Sequence, residues 1–339
     1  MTTSPPAAPI VPQLAAQMPA GEGVRSILRQ LFAALEAQEQ GTRAGLDPEC
    51  LHDFRVAVRR TRSVLGQLKQ ALPEGAVVRF GPEFAWLGEI TGPTRDLDVY
   101  LLRFPAYRDS LPPEDHDHLQ PLHRFLLAHR QTAQAQLLKE LDSERYQQLK
   151  WQWREFLDAP AGGAPLGGGQ QALRDFADER IVRALRKVFK QGRAIDHSSP
   201  AAALHELRKS CKKLRYLLEF FRPFYPGTVI GQLIQSLKGL QDHLGEFQDL
   251  QVQSEALRSF TAEMIVEGEV PPQTLVALGM LVEGLRSRQR RVRKAFAKCF
   301  RHFDRPENHR LLDQLRARKS LVKTLHTAKE KIDGKLSQG

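Results

Sequence analysis

The chain has 339 residues, and its 50 Lys and Arg against 39 Asp and Glu leave a formal charge of +11. Hydrophobic residues make up 41% and charged residues 26%, which excludes global disorder and leaves no need for disulfide or metal staples. The excess of base points to a polyanionic partner: nucleic acid, anionic lipid or a phosphate polymer.

The length corresponds to about two domains of ~150 residues. Residues 1–20 are rich in Pro and Ala and are expected to be disordered. They contain neither the basic nor the apolar region of a secretory leader, and no run of about 18 apolar residues predicts a membrane span. The cysteines, Cys50, Cys211 and Cys299, form no CxxC pair. That argues against a cysteine zinc site or disulfide framework and suits a reducing cytosol.

From Glu22 onward the pattern is helical. Leu28, Leu31, Phe32 and Leu35 recur at spacings of three and four, and the same periodicity returns in 119–141, 172–190, 204–221, 229–244, 274–285 and 292–303. Alternating β-branched runs are scarce, so the fold class is all-α, built of long antiparallel helices. Asp115–His116–Asp117–His118 follows two prolines and reads as a solvated polar turn rather than a metal site. The stretch 158–169, DAPAGGAPLGGG, has no periodic apolar face and reads as a linker near the middle of the chain. The predicted organisation is a first helical bundle at 21–157, a linker at 158–170, a second bundle at 171–305 and a basic tail at 306–339.

The halves repeat. LHDFRVAVRRTR at Leu51–Arg62 matches LHELRKSCKKLR at Leu204–Arg215, an offset of 153 positions. His52 falls on His205, Arg55 on Arg208, Arg59 on Lys212, Arg60 on Lys213, Arg62 on Arg215 and Lys69 on Arg222. The block Gly92–Val99 meets Gly245–Val252 in the same register. Duplication of one bundle, with the copies related by an internal pseudo-twofold, is the simplest account.

On a helical wheel Leu51, Phe54, Val58, Leu65 and Leu68 share one face, and His52, Arg55, Arg59, Arg62 and Lys69 form a stripe about 90–100° from it. In the second copy Leu204, Leu207, Cys211, Leu218 and Phe221 lie beside His205, Arg208, Lys212, Arg215 and Arg222. Arg60 and Lys213 point elsewhere. Asp53 and Glu206 lie off the stripes, which on this reading carry no acid. A solvated face would mix signs, whereas like charges one turn apart repel by a few tenths of a kcal/mol per pair. The stripes therefore read as anion sites, with Arg as a bidentate fork, Lys as a point charge and His as a donor that gains charge beside an anion. Facing each other, they would line one basic groove or cavity. Lys238 is expected to project toward it, although its first-half counterpart is Ala85. Asp96 and Asp249 are expected to cap a helix or pair with a stripe arginine. A further cluster, 286–301, holds eight Lys and Arg and no acid. The repeat does not explain it.

In these motifs, of the form H-x-x-R-x-x-x-R/K-R/K-x-R, the chain resembles the CHAD family, the conserved-histidine α-helical domain. GPTRDLDVYL and LQDHLGEFQDLQV support the resemblance, which runs from about residue 22 to about 304. It implies two symmetric bundles around a basic cavity, binding of inorganic polyphosphate and association with polyphosphate granules. Carried over by position, the ligand residues are His52, Arg55, Arg59, Arg62, His205, Arg208, Lys212 and Arg215. Some members carry a triphosphate-tunnel domain marked by ExExK. Here Glu267–Gly268–Glu269–Val270–Pro271 lacks the lysine, so the chain reads as a stand-alone member. Phosphate-binding loops, HExxH and GxSxG are missing from the sequence, so no catalysis and no cofactor are expected, and divalent cations enter only as bridges to the polymer. A nucleic-acid-binding helical protein and a polyphosphate or nucleotide hydrolase are the competing readings.

Overall fold

The computed structural model describes residues 14–159, 169–268, 270–310 and 312–315. Ten α-helices of the described residues carry the fold: α1 (Ala20–Ala44), α2 (Pro48–Gln67), α3 (Ala76–Ile90), α4 (Gly92–Arg108), α5 (Gln120–Asp142), α6 (Glu144–Asp158), α7 (Leu173–Arg193), α8 (Ala201–Phe220), α9 (Gly227–Glu267) and α10 (Pro272–Phe303). The described residues contain no strand; an isolated β-bridge joins Pro19 to Ala172. The fold is all-α, and none of the described helices is long and apolar enough to cross a membrane. Local chemistry sets several boundaries. Asp47 caps α2 by accepting from the Glu49 amide at 2.9 Å, and Pro48 takes the first helical position, where a missing N–H costs nothing. Ser143 caps α6 through the Tyr146 amide.

The repeat is written in the backbone. α2 and α8 have 20 residues each and occupy matching positions. Leu68 ends the first at φ −109°, ψ 16°, and Phe221 ends the second at φ −101°, ψ 12°. Each is followed by a 3₁₀ turn, Lys69–Ala71 and Arg222–Phe224. The copies then part. In the first, Thr91–Gly92–Pro93 interrupts the helical path between α3 and α4, because Pro93 has no N–H to return to the preceding turn. Leu244–Gly245–Glu246 stands at the matching positions, and α9 runs through without a break.

The described residues fall into two compact units whose borders are not those of the sequence repeat. One comprises those of Gly21–Gly169 and Gly245–Lys294; the other comprises those of Gln13–Ala20, Gln170–Leu244 and Ala295–Gly339. In the first unit Trp153 meets Phe80 and Phe84 edge to face at 4.7 and 4.8 Å. A second buried cluster there joins Tyr100, Phe104 and Tyr107 of α4 and Leu122 and Leu126 of α5 to Leu257, Met264, Leu278 and Leu281. Those last four come from the second sequence half. Tyr107 donates to Gln253 Oε1 at 2.7 Å, which satisfies both groups inside the cluster. Burial of this kind, about 1.5–3 kcal/mol per large apolar side chain, is why Gly245–Lys294 belongs with α4 and α5.

The ends differ from the sequence reading where they are described. Residues 14–20, part of the stretch expected to be disordered, are tied down: the Leu173 amide donates to Met18 and the Arg174 amide to Ala16. In the expected tail Asn308, Leu312 and Leu315 are buried, so packing continues beyond 305. Most of the predicted linker, 160–168, and the tail from 316 lie outside the described residues.

In the second unit a Cβ on Gly192 would stand 1.9 Å from the Phe300 ring, whereas a Cβ on Gly231 meets nothing within 4 Å. Gly192→Ala is expected to destabilise the protein by about 1–3 kcal/mol through overpacking. Gly231→Ala is expected to raise stability by about 0.5–1 kcal/mol through helix propensity. Urea unfolding midpoints of the two variants check this pair.

Candidate functional site

The α2 seam, Leu51, Phe54, Val58, Leu65 and Leu68, is buried. That holds His52, Arg55 and Arg59 half-buried on its flank, as is Arg60 off the stripe, while Arg62 and Lys69 are exposed. Arg55 is fastened by the helix interruption. The Thr91 hydroxyl donates back to the Leu87 carbonyl at 2.7 Å, and Arg55 Nη1 donates to Gly88 O at 2.8 Å and Thr91 Oγ1 at 2.7 Å. The backbone acceptor at the break is thus taken by a cation of the stripe. Arg55 Nε is buried without a partner. Burial lowers the pKa of this guanidinium; Asp96 works against that, and Arg59, Arg95 and Arg62 add to it. Arg59, Arg95 and Arg62 are therefore within electrostatic reach of Arg55, and Asp96 acts on Arg55 and Arg95 through its charge without a direct ion pair among the described residues. Arg59 and Arg62 make no hydrogen bond or ion pair among the described residues.

Arg95, from α4, belongs to this site although neither the stripe nor the repeat singles it out; its counterpart is the neutral Gln248. Its Nη1 donates to Pro48 O at 3.1 Å and its Nη2 lies 2.9 Å from His52 Nδ1. A guanidinium only donates, so Nδ1 is the acceptor and Nε2 carries the imidazole proton. Burial, then Arg95 and Arg59, hold the His52 pKa below its ordinary value, against Glu49 and Asp53. His52 is thus a neutral donor through Nε2–H with its basic lone pair occupied.

The second copy is not electrostatically equivalent. His205, Arg208, Lys212 and Arg215 are half-buried on α8, while Lys213, Arg222 and Lys238 are exposed. Arg215 Nε donates to Glu219 at 2.6 Å and its Nη1 to Gln241 Oε1 at 3.3 Å. Glu219 stands about 60° from Leu204 on the wheel, inside the arc of the stripe. This corrects the reading of the stripes as free of acid. The spacing of four from Arg215 was visible in the sequence, but Glu219 lies beyond the matched motif and its counterpart is Gly66. Asp249 pairs with Arg103 at 3.4 Å in the first unit. Lys238 has no described hydrogen bond or ion pair to the α8 stripe.

Two other sequence features resolve into local pairs. His118 Nδ1 lies 3.1 Å from Asp115 Oδ1, and His116 Nε2 lies 3.1 Å from the Leu111 carbonyl, a self-satisfied polar turn. In the 286–301 cluster Arg288 pairs with Glu246 at 2.6 Å and Arg290 with Glu283 at 2.7 Å, so acids outside the run neutralise part of it. The described residues hold no group of three or more His, Cys, Asp or Glu able to bind a metal ion.

Arg95→Gln is expected to move the His52 pKa upward, toward but not to its ordinary value, since burial remains. An imidazole NMR titration of both proteins reads the shift; an unmoved His52 would detach Arg95 from the site.

A family model described as "CHAD domain" matches residues 26–258. The CHAD domain from the plant Ricinus communis, known from a crystal structure, is similar at 25% identity and a TM-score of 0.68, over 92% of this chain and 96% of that one. PptA from Streptomyces chartreusis shares the fold at 18% identity and a TM-score of 0.64, over 84% of this chain and 100% of that one. No curated protein matches. With the doubled His–Arg motif on α2 and α8, and a family model spanning well over half of its length, the chain belongs to the CHAD domain family.

Proposed function

We propose that this protein binds inorganic polyphosphate without turning it over. The observation that carries the reading is the first stripe. Arg59 and Arg62 lack a protein acceptor among the described residues while standing in a field shared with Arg55 and Arg95. Arg55, Arg59 and Arg95, held together at half-buried positions, repel more than in open water, and a polyanion relieves that repulsion along its length. The family's association with polyphosphate agrees with this chemistry. Phosphate oxygens would meet the forks of Arg55, Arg59 and Arg62 and the Nε2–H of His52, with His205, Arg208, Lys212 and Arg215 as the corresponding group on α8. Arg60, Lys69, Lys213, Arg222 and Lys238 add charge at the margins, and Mg²⁺ would arrive as a bridge to the polymer. Binding of this kind would attach the protein to polyphosphate granules. A noncatalytic role is supported by His52, whose lone pair is directed at Arg95 rather than at a water it could deprotonate.

Long-chain polyphosphate, RNA and duplex DNA, titrated at matched phosphate concentration and near-physiological salt, test the reading. Polyphosphate is expected to bind tightest, and Arg59→Glu to weaken it by roughly tenfold or more, because reversal removes one contact and repels the polymer. Equal or tighter nucleic-acid binding would favour the competing function, and steady phosphate release in Mg²⁺ would favour a hydrolase.

Glu219 makes a second, independent expectation. An anion reaching Arg215 must compete with the 2.6 Å carboxylate contact. Glu219→Gln is therefore expected to tighten polyphosphate binding by several-fold. Weaker binding in this variant would mean that Glu219 orders Arg215 for the ligand instead of competing with it.

A further inference from the structure

α7 carries a charge pattern that the repeat does not account for. Between Arg180 and Arg193 it holds Arg180, Arg183, Arg186, Lys187, Lys190 and Arg193, and no acid. At the 153-residue offset α1 holds Ile27, Gln30, Ala33, Ala34, Ala37 and Gln40, with no charge at all. The apolar faces do match: Leu28, Phe32 and Leu35 are buried on α1, and Ile181, Leu185 and Val188 on α7. Packing therefore does not call for the bases, since α1 buries the same face without them.

The ordinary uses of surface charge explain only part of the row. Lys190 and Arg193 stand in the last turn, where cations complement the helix dipole. Arg193 also pairs with Asp304 through two contacts of 2.7 Å. Arg180 is half-buried with its guanidinium 4.6 Å from the centre of the Phe176 ring, which leaves Arg183, Arg186 and Lys187, all exposed. Arg183, Arg186 and Lys190 make no hydrogen bond or ion pair among the described residues, and Arg183 is close enough to Arg180 to depress its pKa further, after burial. The six bases cover an arc of about 140° and about 20 Å of helix.

The row lies on the helix packed against α8 inside the second unit. Glu206 of α8, held chiefly by Lys209, is also within electrostatic reach of both His205 and Lys187. Toward the C-terminal end of α7, Arg186, Lys190 and Arg193 border a cavity of about 940 Å³ with Phe189, Asp304 and His309.

We propose that the exposed basic face of α7 is a second polyphosphate-binding surface, one that engages long chains beside the α8 stripe. It rests on the polyphosphate reading above and adds a chain-length preference to it. A short phosphate chain is satisfied by the stripe. A longer one continues along the row, where Arg183 and Arg186 offer bidentate forks and Lys187 and Lys190 point charges.

The test uses the full chain, long-chain polyphosphate and tripolyphosphate over a series of salt concentrations. Arg183→Gln/Lys187→Gln/Lys190→Gln is compared with Ala33→Glu/Ala34→Glu/Ala37→Glu. Each lowers the formal charge by three at exposed positions. The α7 variant is expected to bind long chains about tenfold more weakly, with a flatter dependence of log K on log salt, and tripolyphosphate as before. The α1 variant is expected to lose less than about twofold. Equal losses in the two variants, an unchanged long-chain affinity and salt slope, or a tripolyphosphate loss as large as the long-chain loss would each overturn the proposal. Wild-type protein that binds neither polymer would instead overturn the polyphosphate reading itself. Circular dichroism and unfolding midpoints show that both variants keep the fold.

Discussion

The basic stripes depend on the apolar seams beside them. Leu51, Phe54, Val58 and Leu65 on α2, and Leu204, Leu207, Cys211 and Leu218 on α8, are buried almost completely. Burying a seam fixes the rotation of its helix, and a fixed rotation leaves Arg55 and Arg59 on α2 and Arg208, Lys212 and Arg215 on α8 neither inside the core nor free in solvent. At half-buried positions a charge is screened less than in water, yet its head group still reaches an incoming ligand. Hydrophobic packing thus supplies the free energy that holds like charges together, at a repulsive cost small beside several buried leucines and phenylalanines.

Within that frame the interruption between α3 and α4 does specific work. A helix broken at Pro93 leaves backbone acceptors that an unbroken helix would use. Thr91 and Arg55 take them up, which anchors Arg55, while Arg95 in the following turn reaches Pro48 O and His52. The local stop in the helix and the local concentration of positive charge are one arrangement. α9 has no break at the matching position, and Arg215 of α8 is instead held by a carboxylate, Glu219, and an amide, Gln241. The copies kept their helix ends and their cations, and they diverge at Arg62 and its counterpart Arg215, of which only the second is held by a carboxylate.

Much of this was legible in the sequence, for physical reasons that also mark the limits. Periodicity reports that a helix has a buried face, so the all-α class, the α2 and α8 seams and the flanking stripes followed from spacing alone. The repeat held down to the dihedral angles at Leu68 and Phe221. Periodicity does not report what a face is buried against. Leu257, Met264, Leu278 and Leu281 therefore fall within the predicted second bundle, while they pack with Tyr100, Phe104 and Leu122 of the first half. Arg95 escaped notice because it enters the site from another helix and is neutral in the other copy. Glu219 escaped because the matched motif stops at Arg215, four residues short of it.

The distribution of charge then separates what duplication maintains from what it does not. The histidine and the four stripe cations of each copy are matched in position, and on the proposed function the two matched rows suit a ligand that presents the same chemistry repeatedly. The α7 bases, the Glu219 carboxylate and Arg95 each occur in one copy only. Unmatched charge cannot be a requirement of the bundle, because the other copy folds the corresponding helices without it. It is either indifferent surface or an adaptation of one copy to its ligand. Arg95 makes defined contacts with His52 and Pro48, and Glu219 with Arg215, which is more structure than indifferent surface charge needs. The copies are therefore better regarded as two unequal arrangements on a shared plan: the first with Arg59 and Arg62 outside any described ion pair beside a broken helix, the second with an internal counter-ion on its stripe and a longer basic row on the helix packed against it.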